Sequence, residues 1–62
     1  MTKVQHEFKM QLLVNYGRII SKKKLNDLFN EAKNLGLLLI TDTQEIDIDT
    51  IYVNSIKVQE LF

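Results

Sequence analysis

Apolar and polar residues alternate from Val4 to Val14. Val4, His6, Phe8, Met10, Leu12 and Val14 share one side of an extended chain, and Gln5, Glu7, Lys9, Gln11 and Leu13 the other. A period of two predicts a long strand with one buried face. Asn15-Tyr16-Gly17 reads as a turn, with Gly17 supplying a positive φ. Arg18-Ile19-Ile20 is then a short returning strand.

The period changes at Ser21. Leu25, Leu28, Phe29, Ala32 and Leu35 fall on one stripe of a 3.6-residue repeat, with Asn26, Asp27, Asn30, Glu31, Lys33 and Asn34 between them. Ser21 is an N-cap residue, because its hydroxyl can accept a bond from a first-turn N–H. Gly36 fits the left-handed position that ends a helix. A helix over about 21–35 follows, with Lys33 in its last turn, where a cation suits the macrodipole.

Leu37-Leu38-Leu39-Ile40-Thr41 is a short apolar run that predicts a strand buried on both faces. Asp42-Thr43-Gln44 has turn chemistry. Alternation resumes from Glu45, with Ile46 and Ile48 inward and Glu45, Asp47 and Asp49 outward. Ile51, Tyr52 and Val53 favour a strand, Asn54-Ser55 reads as a two-residue hairpin turn, and Ile56-Lys57-Val58 as the last strand. A competing reading starts a C-terminal helix at Asp49 or Asn54, with Ile51, Ser55, Val58 and Leu61 on one face. The β-branched residues between Thr50 and Val58 favour strands. The assembled expectation over residues 1–62 is one small α+β domain. It is a two-layer sandwich of order approximately ββαββ(β), with one helix on a mostly antiparallel sheet.

Leu12 to Thr41, LLVNYGRIISKKKLNDLFNEAKNLGLLLIT, resembles the N-terminal domain of bacterial translation initiation factor three. That domain also runs from a strand through a Gly turn, a short strand and a Ser-capped helix to a Gly stop and an apolar strand. The resemblance implies ribosomal RNA contact, and no functional residue is carried over from it.

Composition narrows the function. Sixty-two residues without Cys contain no disulfide or thiolate metal site. Eight basic side chains balance eight acidic ones, which argues against a generic nucleic-acid coat or a polybasic membrane binder. The apolar runs are too short to span a bilayer, and MTKVQHEF lacks the apolar core of a signal peptide. A reducing cytoplasm is the expected compartment. Ile, Lys and Asn make up 19 residues and Gly, Ala, Arg and Pro together only four, a bias of AT-rich coding as in a low-GC bacterium, phage or plasmid.

The balance hides a split. Residues 1–36 carry a net +4 and residues 37–62 a net −4. Such halves attract within one fold or between copies. Lys22, Lys23 and Lys24 stand in the first turn of the helix, at the wrong end of its dipole. Violated local rules often mark function. With Arg18 before them they form a candidate anion or partner-binding site. Glu45, Asp47 and Asp49 form a candidate acidic surface, spaced too widely along a strand for a tight metal cage.

No catalytic constellation is legible. His6 is the only histidine, Ser21 is accounted for as a cap, and there is no phosphate loop or nucleophile elbow. No cofactor is expected. The expected function is a small non-catalytic protein-interaction module, a regulator or inhibitor whose protein partner the sequence does not identify. The alternative is a small nucleic-acid binder that contacts phosphates through the basic helix start. A homodimer is also expected. One helix covers one sheet face, and Leu13, Leu37 to Ile40, Ile51, Val53 and Phe62 exceed what that face can hold.

Overall fold

The computed structural model describes residues 2–61. Five elements follow in order: α1 (Lys3–Leu13), β1 (Ile19–Ser21), α2 (Lys22–Asn34), β2 (Leu37–Glu45) and β3 (Thr50–Glu60). The three strands form an antiparallel sheet of order β1-β3-β2, and the two helices lie on one face of it. The class is α+β, as the patterning predicts, but the order is αβαββ rather than ββαββ(β), and two helices cover the sheet, not one.

The first correction is α1. Residues 4–14 were expected as a strand, yet Lys3–Leu13 is helical. Thr2 and Gln5 form a capping box: Gln5 N–H donates to Thr2 Oγ1 at 3.1 Å, and Thr2 N–H donates to Gln5 Oε1 at 2.9 Å. Two N–H groups with no intrahelical partner are thereby satisfied. Phe8 and Leu12 are four apart, so both point to the core, whereas Val4, His6, Met10 and Val14 are exposed. A spacing of four is two strand repeats and also about one helical turn. Gln, Glu, Lys, Met and Leu between the end valines are good helix formers, and that settles the ambiguity.

The turn at Gly17 and the helix stop at Gly36 both have φ of +72°. Gly17 N–H donates to Val53 C=O at 2.9 Å, and Val53 N–H donates to Arg18 C=O at 2.9 Å, so β1 is laid against β3 by the turn itself. Ser21 Oγ accepts from Lys24 N–H at 3.0 Å, the expected N-cap bond. Leu25, Leu28 and Leu35 pack against the core and Ala32 is buried within it. Phe29, expected on the same stripe, lies on its flank and is 38% exposed.

β2 runs unbroken through Asp42-Thr43-Gln44, so the expected turn there does not form. Residues 46–49 turn instead, held by Asp47, whose Oδ1 accepts from Asp49 N–H at 2.8 Å and Thr50 N–H at 2.9 Å. Asn54-Ser55 is not a hairpin either. Asp42 pairs with Ser55 and Thr43 with Val53, so Asn54 is an extra residue, a β-bulge inside one eleven-residue strand. A C-terminal helix is excluded for residues 50–60.

The sheet has two unlike faces. Leu37, Leu39, Ile51, Val53, Ile56 and Ile20 point under the helices and join Phe8, Leu12 and Ala32 in the core. Ile51 and Val53 thus find their place. Leu38 and Ile40 do not: the run from Leu37 to Ile40 is buried on one face only. Phe62 lies outside the described residues.

Candidate interaction surfaces

The basic and acidic candidates meet at one end of the molecule. Lys22 opens α2 and Glu45 closes β2; Lys22 Nζ and Glu45 Oε1 are 3.0 Å apart. Lys22 backbone N–H donates to Asp49 C=O at 2.8 Å. Lys24 N–H is taken by the Ser21 cap. The anion site expected at the helix start therefore has its Lys22 ammonium and two first-turn N–H groups already engaged. Arg18, Lys23 and Lys24 are exposed around it.

Glu45, Asp47 and Asp49 do not line one strand face, which corrects that expectation. Glu45 ends β2, while Asp47 and Asp49 belong to the turn. Asp47 works as a turn cap. The hydrogen bond from Asp49 N–H, helped by bonds from Thr50, holds its carboxyl below the ordinary aspartate range. The two oppositely charged halves of the chain thus clasp each other at this end. The clasp is surface-exposed, with side chains 44% and 66% accessible, so its net contribution to stability is small.

His6 sits on the exposed side of α1. Between α1 and α2 runs an open groove of about 120 Å³, lined by Val4, Glu7, Phe8, Gln11, Glu31 and Leu35. Gln5 Nε2 donates to Leu35 C=O at 2.6 Å and ties the two helices together. The groove presents two carboxylates and no nucleophile. Among the described residues no three His, Cys, Asp or Glu side chains are grouped to hold a metal, and no helix is long and apolar enough to cross a membrane.

The outer face of the sheet carries part of the apolar surplus that the sequence counted but could not place. Leu38, Ile40, Asp42 and Gln44 of β2 lie there, opposite Gln59, Lys57, Ser55 and Tyr52 of β3, with Ile19 of β1 beyond Tyr52. Ile19 is 59% exposed, Leu38 44% and Ile40 46%. The run Leu37 to Ile40 is apolar at every position, so its sequence carries no signal of which alternate residues are covered. At the hairpin tip Ile46 and Ile48 are also exposed.

No protein-family model, curated protein or solved structure matches this chain. The resemblance to the initiation-factor domain also loses its first element, since α1 stands where that domain has a strand.

Proposed function

We propose that this chain is a small non-catalytic protein-interaction module, a regulator or inhibitor of the kind a phage, plasmid or low-GC bacterium carries, working in the cytoplasm. The observation that carries the reading is the outer sheet face, where Ile19, Leu38 and Ile40 stand in solvent with no layer of the described residues over them. Exposed apolar side chains rimmed by polar ones are the usual composition of a recognition surface. Lys57 and Asp42 stand on the same face at neighbouring rows of the ladder. The partner is accordingly a protein surface with an apolar centre, an acidic group to meet Lys57 and a basic one to meet Asp42.

The nucleic-acid alternative has less support. Lys22 is drawn onto Glu45, and the helix start has lost two of its free N–H groups. The test is affinity purification of the tagged chain from its source cell. A stoichiometric protein retained by wild type and lost from the Ile19→Lys, Lys57→Glu double variant supports the module. Recovery of nucleic acid instead, lost in Lys23→Glu with Lys24→Glu and kept in the outer-face variant, overturns it.

A further inference from the structure

We infer that a second copy of this chain joins the sheet by antiparallel pairing of β2 with β2 across a twofold axis, making one six-stranded sheet. The order β1-β3-β2 leaves β2 at an edge along its nine residues. Which backbone groups face that edge follows from the ladder. Leu61 N–H donates to Gly36 C=O at 3.1 Å, and Ile46 N–H donates to Thr50 C=O at 3.0 Å. Both ends of the hairpin therefore place the even-numbered residues of β2 in hydrogen-bonded pairs with β3. Antiparallel partners alternate, so Leu37, Leu39, Thr41 and Thr43 turn their N–H and C=O groups to the free edge.

That edge lacks the usual protection. The chain has no proline, and β2 has no lysine. The opposite edge is the three-residue β1, too short to template a long pairing, and beyond it β3, where the bulge at Asn54 bends the strand. β2 has no bulged residue of its own. One of its two acidic groups, Glu45, is held by Lys22.

Side-chain chemistry selects the register. Centring the axis on Leu39 sets Leu39 against its copy, Leu37 against Thr41, and Leu38 against Ile40 on the outer face. Four exposed apolar side chains then form one cluster at the seam, at cross-strand separations of about 5 Å. Asp42 falls opposite Gly36, so no like charges are opposed. Centring on Thr41 would put Ile40 against Asp42.

A second observation points to the same edge. Phe29 follows Lys22 by seven residues, two turns of α2, and so lies on the same flank of the helix. That flank is the one from which Lys22 reaches Glu45 of β2. The opposite flank, with Glu31 and Leu35, faces α1. Phe29, 38% exposed, thus stands on the β2 side of α2. In the paired sheet the two α2 helices come side by side, and a Phe29 from each covers the seam. The partner is a second copy because the edge pairs with itself in a register that hides apolar groups and separates charges. The pairing does not rest on the outer face being a recognition surface.

Sedimentation equilibrium from low micromolar to millimolar concentration tests it. Wild type should pass from the 7.3 kDa monomer to a species of twice that mass. Thr41→Pro removes an edge-facing N–H and spares the β3 ladder, so it should stay folded and weaken association on the order of a hundredfold. Phe29→Lys, which leaves the strands untouched, should weaken it on the order of tenfold and serves alone if Thr41→Pro does not fold. Ile19→Lys, on the outer face away from β2, should leave it unchanged. A 7.3 kDa species at every concentration overturns the pairing. So does a dimer that survives Phe29→Lys undiminished, or one that Ile19→Lys abolishes, which would place the contact on the outer face.

Discussion

The same three strands make both faces of the sheet, and the faces have different tasks. Leu37 and Leu39 lie under two helices; Leu38 and Ile40, one residue away, lie in solvent. Side chains of similar volume therefore hold the fold together on one side and remain free for a partner on the other. The difference is set by topology. Both helices fall on the same side of the sheet, tied by the bond from Gln5 to Leu35. Among the described residues the outer side has apolar side chains but no covering layer.

Truncation should break this symmetry most sharply. Leu12→Ala empties a fully buried position and should cost about 2–5 kcal/mol of folding stability. Leu38→Ala removes the same atoms from the outer face and should change stability by no more than about 0.5 kcal/mol. Urea melts of both variants check the pair. Equal losses would mean the outer face is covered in the free monomer.

The covered side depends on its helices, and each helix has its own cap. Ser21→Ala should cost about 1 kcal/mol, because Lys24 N–H loses its acceptor. Thr2→Ala should cost a similar amount and lower helical circular dichroism, because residues 3–13 are helix. A silent Thr2→Ala would return that segment to the strand reading.

The charged clasp closes the end of the molecule where the faces meet. Lys23→Glu with Lys24→Glu should stabilise the fold by about 0.3–1 kcal/mol, since acidic groups suit the positive end of the α2 dipole. Lys22→Glu should not, because it sets a carboxylate against Glu45. Thermal melts at low and high salt separate the two cases, and salt should shrink both effects.

Asp47 gives the smallest effect. Its folded pKa is depressed, so its stabilisation is fully present above the ordinary aspartate value of about 3.9 and is lost as pH falls through the lowered folded value. Asp47→Asn should remove the slope of the stability profile at the acid end of that window and slightly lower stability near neutrality, where the carboxylate is charged; a neutral-pH stability above wild type would contradict this.

Much of the fold was legible in sequence. Ser21, Gly17 and Gly36 each have one local task that their chemistry states, and α2 has an unambiguous period. The failures share a cause. Phe8 and Leu12 satisfy both a strand repeat and a helical one, and the helix formers between Val4 and Val14, with the capping box from Thr2 to Gln5, decide between them. Asn54-Ser55 has turn residues but sits opposite a continuous β2, where pairing turns them into a bulge. Leu37 to Ile40 is apolar throughout, so composition cannot say which alternate residues are covered. The lysine run looked like a vacant anion site because the partners that occupy it, Glu45 and Asp49, are more than twenty residues away in the chain.

Residue-resolved amide hydrogen exchange of β2 at low and high protein concentration is the most direct measurement of where this molecule meets its copy. At low concentration Leu38, Ile40 and Asp42 should be protected by β3, and Leu39 and Thr41 should exchange quickly. At high concentration Leu39 and Thr41 should become protected as well, and the alternation should vanish. Fast exchange of Leu39 and Thr41 at every concentration would contradict the account, and so would protection of those two amides in the dilute monomer.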